Sequence, residues 1–131
     1  MTEKILEIKQ TSGYKLKENA YTEFDGFTVV TDKQEIFLGI DNGQCCCEDW
    51  GYFMSQDDFS DFIDADFLGV KVVDTHLSTK KLPDFDCGGV MFVNVETSKG
   101  LLQFTAYNSH NGYYGHEAIV RSNSFNHSEG L

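Results

Sequence analysis

Three consecutive cysteines, Cys45, Cys46 and Cys47, run straight into Glu48, Asp49 and the only tryptophan, Trp50. Thiolate sulfur and imidazole nitrogen are the donors zinc favours in a closed tetrahedral site. The chain adds a fourth cysteine, Cys87, and the histidines His76, His110, His116 and His127. In an extended segment alternate side chains share a face, so Cys45 and Cys47 point together and Cys46 points away. Cys87 sits in "DFDCGG", where glycines let the backbone bend around an ion, and His116 follows Gly115 near a strand start. Cys45, Cys47, Cys87 and His116 would therefore close a Cys₃His zinc site. If the triplet is a tight turn instead, Cys46 replaces one of its neighbours. The spacing departs from the C-x₂-C knuckle and no H-x₃₋₅-H pair is present, so buried free thiols are the competing reading.

Catalysis by these thiols needs more than their number. A cysteine nucleophile requires a depressed pKa, from a cation, a histidine base or a helix N-terminus. Glu48 and Asp49 oppose thiolate formation by charge, and a Cys47–His116 pair is the remaining route. No phosphate-binding glycine loop, H-E-x-x-H or EF-hand loop occurs in the sequence. The expectation is a protein that is not an enzyme.

Charge points the same way. The net charge is −11, and between Lys33 and Lys71 there is no Lys or Arg. Glu35, Asp41, Glu48, Asp49, Asp57, Asp58, Asp61, Asp64 and Asp66 fall in that gap, which carries −9 and leaves −2 for the rest. Such a surface repels nucleic acid and anionic membranes and attracts basic protein surfaces, chiefly the phosphate-binding channels of other proteins. Ordinary solubilising charge is the alternative. No apolar run is long enough for a membrane span, and the start, MTEKILEIKQ, lacks a signal-peptide core. The expected location is a reducing cytosol, where adjacent cysteines also bridge poorly because a vicinal disulfide is strained.

The elements that must position these groups read mostly as strands. At 131 residues the chain suits one domain. Residues 1–20 read as an N-terminal arm or short strand, 21–122 as a single α+β domain, and 123–131 as a flexible tail. FTVVT (27–31) and EIFLGID (35–41) form a hairpin, and "DNG" turns into the cysteine run. Ser55 and Asp58 resemble a capping box, and Phe59, Phe62 and Ile63 share one helical face, so a short acidic helix is expected there. Its outer face would carry Asp57, Asp58, Asp61 and Asp64. VKVVDTH (70–76) is a further strand, and 89–97, 101–109 and 113–122 form a three-stranded antiparallel meander. The predicted class is α+β, mostly antiparallel sheet with one helix packed on it. Trp50 is expected in the core beside the cysteines, and Tyr107, Tyr113 and Tyr114 as cross-strand packing or a contact surface.

The combination Cys46-Cys47-Glu48, then Lys99-Gly100, then Asn111-Gly112-Tyr113-Tyr114 with Glu117 resembles a family of small proteins of unknown function from bacteriophages and mobile elements. The resemblance covers roughly residues 24–120. It departs at Cys45, where the family pattern carries an acid, and at His116 before Glu117; both changes add soft-metal ligands. The resemblance implies a phage protein acting in the host bacterial cytoplasm, in a setting where inhibitors of host defence, including anti-CRISPR proteins, are common. An RNA-guided nuclease holds its nucleic acids in a positively charged channel, which a compact polyanion can occupy in place of DNA. The expectation is an inhibitor docking Asp57, Asp58, Asp61, Asp64 and Asp66 on a type II CRISPR effector. The alternatives are a thiol- or metal-dependent phage enzyme and a non-catalytic interaction module.

Overall fold

The computed structural model describes residues 3–17, 19–43, 48–56, 58–74, 87–110, 116–123 and 125–131. Strands β1 (Ile5–Leu16), β2 (Asn19–Thr31) and β3 (Glu35–Asp41) are followed by β4 (Glu48–Met54) and β5 (Phe67–Val73). The long hairpin β6 (Cys87–Thr97) and β7 (Gly100–His110) precedes β8 (Glu117–Arg121) and β9 (Asn126–Gly130). They form two antiparallel sheets, a five-stranded one in the order β1-β2-β3-β8-β9 and a four-stranded one in the order β4-β7-β6-β5. Both stretches set apart in the sequence, 1–20 and 123–131, contribute strands, β1 and β9.

Alternation builds the layer between the sheets. Leu102, Phe104 and Ala106 of β7 and Met91, Val93 and Val95 of β6 meet Val29, Ile36, Leu38 and Ile40 of the other sheet, all essentially buried. β3 is buried on both faces because Phe37 joins a second small cluster with Leu16, Phe24 and Ile119 on the far side of its sheet. Residues 36–40 are therefore buried on both faces of the strand, not on alternate positions only.

The α+β expectation is overturned: among the described residues there is no α-helix, only a 3₁₀ turn at Ser60–Phe62. Ser55 does not cap a helix, because β7 holds it. Its N–H donates to the Gln103 carbonyl at 2.8 Å, and its hydroxyl accepts the Gln103 N–H at 2.9 Å. Asp58 instead accepts the Ser60 N–H at 2.9 Å, a local turn that competes with a helix. Ile63 is already extended and Asp64 takes φ 67°, which ends any helical run. The chain then bonds to the start of β1, with Asp64 N–H to Ile5 O at 2.8 Å and Ile5 N–H to Ala65 O at 3.0 Å. Backbone bonds to β1 thus outweigh the short periodic pattern that suggested a helix.

The meander is also corrected. β6 and β7 form the expected hairpin, but β8 crosses to the other sheet and pairs with β3, with Ile40 opposite Ala118. Both faces of β8 are apolar, with Ala118 and Val120 inward and Ile119 in the second cluster, so it gains more between two packed layers than at an edge. Among the described residues no helix is long and apolar enough to cross a membrane.

Candidate functional site

The His116 imidazole is a buried polar group held from several sides. His116 immediately precedes β8 and is 2% exposed. Its backbone exchanges hydrogen bonds with Leu131 at 2.9 and 2.7 Å, and the Asn108 amide donates to the Leu131 carbonyl at 3.1 Å. Nδ1 lies 2.7 Å from the Asp41 carbonyl oxygen and 2.8 Å from Asp41 Oδ1. Both oxygens are acceptors, so Nδ1 carries the hydrogen and any lone pair of the ring is on Nε2. The second carboxylate oxygen of Asp41 accepts the Glu117 N–H at 2.7 Å, which fixes the carboxylate in turn. Trp50 closes the other side, its ring stacked on the imidazole at 5.0 Å between centroids and 28° between planes. A histidine so oriented by a carboxylate and a carbonyl has the arrangement that metal-ligating and general-base histidines share.

In sequence, the cysteine segment is flanked by Asp41 and Trp50, both at this site. Cys45, Cys46 and Cys47 lie outside the described residues, but they join Asp41 at the end of β3 to Glu48 at the start of β4. Two residues lie between Cys47 and Trp50, so their Cα atoms are at most about 11 Å apart. Cys87 opens β6, and its register partner is His110, which is also the partner of Glu48. Glu48, His110 and Cys87 thus form one row across three strands, about 5 Å per step. Of the four expected ligands, His116 is placed in full and Cys87 by its backbone register; Cys45 and Cys47 fall outside the description. Among the described residues no group of three or more His, Cys, Asp and Glu forms a metal cluster.

Two groups near these strand ends stood outside the four chosen ligands: Asp41, and His110, which was among the possible donors. Asp41 was counted only as charge, and nothing local links it to His116, 75 residues away. His110 had a usable signal. The turn places Thr97 opposite Gly100, and ten residues outward along each strand are Cys87 and His110.

The expected partner-binding acids are partly gathered. Asp57 lies outside the described residues, whereas Asp58, Asp61 and Asp64 are exposed around the 3₁₀ turn. The backbone N–H of Ser60, and then its side chain, hold the Asp58 carboxyl below the usual carboxylate range. Asp66 differs, since it pairs with Lys4 at 2.6 Å. That hydrogen bond and the charge of Asp66 raise the Lys4 ammonium above its ordinary value. The turn therefore presents three exposed carboxylates, with Asp66 committed to the link between β5 and β1.

A family profile described as a domain of unknown function, DUF7448, matches residues 2–120. The chain belongs to the DUF7448 family. The DUF7448 match spans Asp41, Trp50 and His116 and also the acidic turn, and ends within β8. Comparisons with curated proteins and with solved structures return no match.

Proposed function

We propose that this DUF7448 protein is a phage-encoded, non-catalytic inhibitor that docks its acidic turn on a basic surface of a host protein. In its most concrete form it is an anti-CRISPR protein acting in the bacterial cytoplasm, occupying the DNA channel of a type II RNA-guided nuclease. The observation that carries this reading is the exposure of Asp58, Asp61 and Asp64 on one short turn, within a stretch that has no Lys or Arg. Charges so placed accelerate encounter with a basic channel and weaken with salt. The motif resemblance to phage and mobile-element proteins supports the setting. The test is target-DNA cleavage by the nuclease of a bacterial host, with and without the protein. Cleavage should fail at low salt and recover at high salt or with the double reversal Asp58→Lys and Asp61→Lys. Undiminished cleavage at low salt, or inhibition indifferent to the reversal, would sink the proposal.

In this reading His116 holds a structural zinc ion with Cys87 and with Cys45 and Cys47 of the triplet. Support comes from the Nδ1–Asp41 contact, the second-layer arrangement of a metal-bound histidine. Purified protein should contain one equivalent of zinc and melt at a markedly lower temperature after chelation, because ligand binding stabilises the folded state. Absence of bound metal removes the zinc from the proposal.

The same contact favours a second reading, a thiol enzyme in which His116 activates a cysteine and Asp41 orients the base. It predicts iodoacetamide labelling of one cysteine near neutral pH much faster than of glutathione, lost in His116→Ala. Labelling no faster than glutathione argues against it.

A further inference from the structure

The outer face of the five-stranded sheet carries a second site that the acidic turn and the His116 cluster do not use. The strand registers align Lys9, Thr28, Phe37 and Arg121 in one row across β1, β2, β3 and β8. The next row on that face is Thr11, Gly26, Gly39 and Ile119. Its two glycines are required by close approach. A Cβ on Gly26 would stand 1.8 Å from the Leu38 carbonyl oxygen, and one on Gly39 would stand 2.4 Å from the Phe37 ring. The Phe37 ring therefore lies along the sheet over Gly39. A bulge between Thr11 and Tyr14, with Gly13 at φ 69°, turns β1 so that Tyr14 stacks on that ring at 4.0 Å and 10°. Phe37 is 2% exposed beneath Tyr14, so the aromatic wall on this face is the Tyr14 ring.

This wall borders a cavity of about 460 Å³ that Lys9, Arg121, Thr11, Thr28 and Glu35 also line. The volume falls in the range of small-molecule sites. Each lining group has a definite chemical preference. Lys9 and Arg121 approach from opposite ends of the row, three strand spacings or about 14 Å apart at their Cα atoms, and both have the reach to meet on an anion between them. The hydroxyls of Thr11 and Thr28 bond each other at 2.7 Å, one as donor, which leaves the other's hydrogen directed elsewhere. Glu35, on the same face as Phe37, accepts hydrogen bonds from hydroxyl or amino groups. In a chain with 10 basic and 21 acidic residues, two cations on one cavity run against the bulk charge.

We propose that this trough binds a small organic anion with a flat ring and hydroxyl donors, the chemistry of a nucleoside monophosphate. Its phosphate lies between Lys9 and Arg121, its ring against Tyr14, and its sugar hydroxyls toward Glu35. Arginine and lysine together suit a phosphate, by fork and by point charge.

The test is calorimetric or NMR titration of the full chain with AMP, GMP, CMP and UMP, and with inorganic phosphate and adenosine as separate arms. At least one monophosphate should saturate and bind more tightly than either fragment. Arg121→Gln and Lys9→Gln should each weaken binding about tenfold, as expected for a lost charge-assisted bond. Unchanged Trp50 fluorescence and melting temperature would show that the variants fold. No saturable binding by any monophosphate, or equal binding to folded Arg121→Gln, overturns the proposal. Phosphate alone binding as tightly as the nucleotide overturns the role of the aromatic wall.

Discussion

At the residue scale the protein turns on one buried histidine whose Nδ1 side is held by Asp41. Asp41 gives His116 two acceptors for a single N–H and uses its remaining oxygen on the next residue of the chain. Asp41→Ala removes the carboxylate but leaves the backbone carbonyl, and it strands the Glu117 N–H without that partner. The expected cost is about 1 to 3 kcal/mol, the range for losing a partner of a buried polar group. Asp41→Asn, which keeps one acceptor oxygen, should cost less. Urea unfolding followed by Trp50 emission checks both, because this only tryptophan stacks on the affected ring. Equal stability of Asp41→Ala and the parent protein would show that the carbonyl alone orients His116.

At the element scale the segment from Ser55 to Asp66 shows how weak a short periodic pattern is against strand bonding. Phe59, Phe62 and Ile63 were spaced for a helix, yet Ser55 is tied to Gln103 and Asp64 to Ile5, leaving room for one 3₁₀ turn. Two shifted groups make the turn's stability depend on pH in opposite directions. The Asp58 carboxyl is held below its ordinary 3.8, so its contribution is present above that value and is lost as pH falls through the lowered one. The Lys4 ammonium is raised above 10.5, so its contribution is present below that value and is lost as pH rises through the higher one. Asp58→Ala should therefore be less stable than the parent protein at pH 7, and the difference should shrink as pH falls below 3.8. Lys4→Met should differ from the parent at pH 7, and the difference should shrink as pH rises above 10.5. Parallel denaturant titrations on either side of neutral pH read both effects, and differences that do not change with pH would assign the stability to packing instead.

At the scale of the whole molecule, stability rests on the layer between two sheets whose strands come from distant parts of the chain. Phe104 of β7 is fully buried and meets Phe27 of the other sheet edge-on, with ring centroids 6.3 Å apart, and Tyr52 of its own sheet at the same distance. Phe104→Ala should cost about 3 to 5 kcal/mol. That is a large share of the roughly 5 to 15 kcal/mol available to a domain of this kind, so the variant should melt far lower or fail to fold. A small change in melting temperature would mean that neighbouring side chains collapse into the space.

The sequence by itself determined what local chemistry and strand periodicity control. The β2–β3 and β6–β7 hairpins follow from β-branched and aromatic content and turn residues, and the latter's register alone aligns Cys87 with His110. The acid-only stretch and the pool of cysteines and histidines are likewise properties of the chain. Tertiary structure decided the rest, because it depends on partners far apart in sequence. β8 left the expected meander for β3, since only there are both its faces buried. The expected acidic helix became a strand-tethered turn, since the backbone bonds offered by β1 and β7 lie some 40 to 60 residues away. Asp41 became the partner of His116 only once β3 and β8 lay side by side. The same pairing set Phe37 beside Arg121 and formed the outer trough, a site for which no short motif could have spoken.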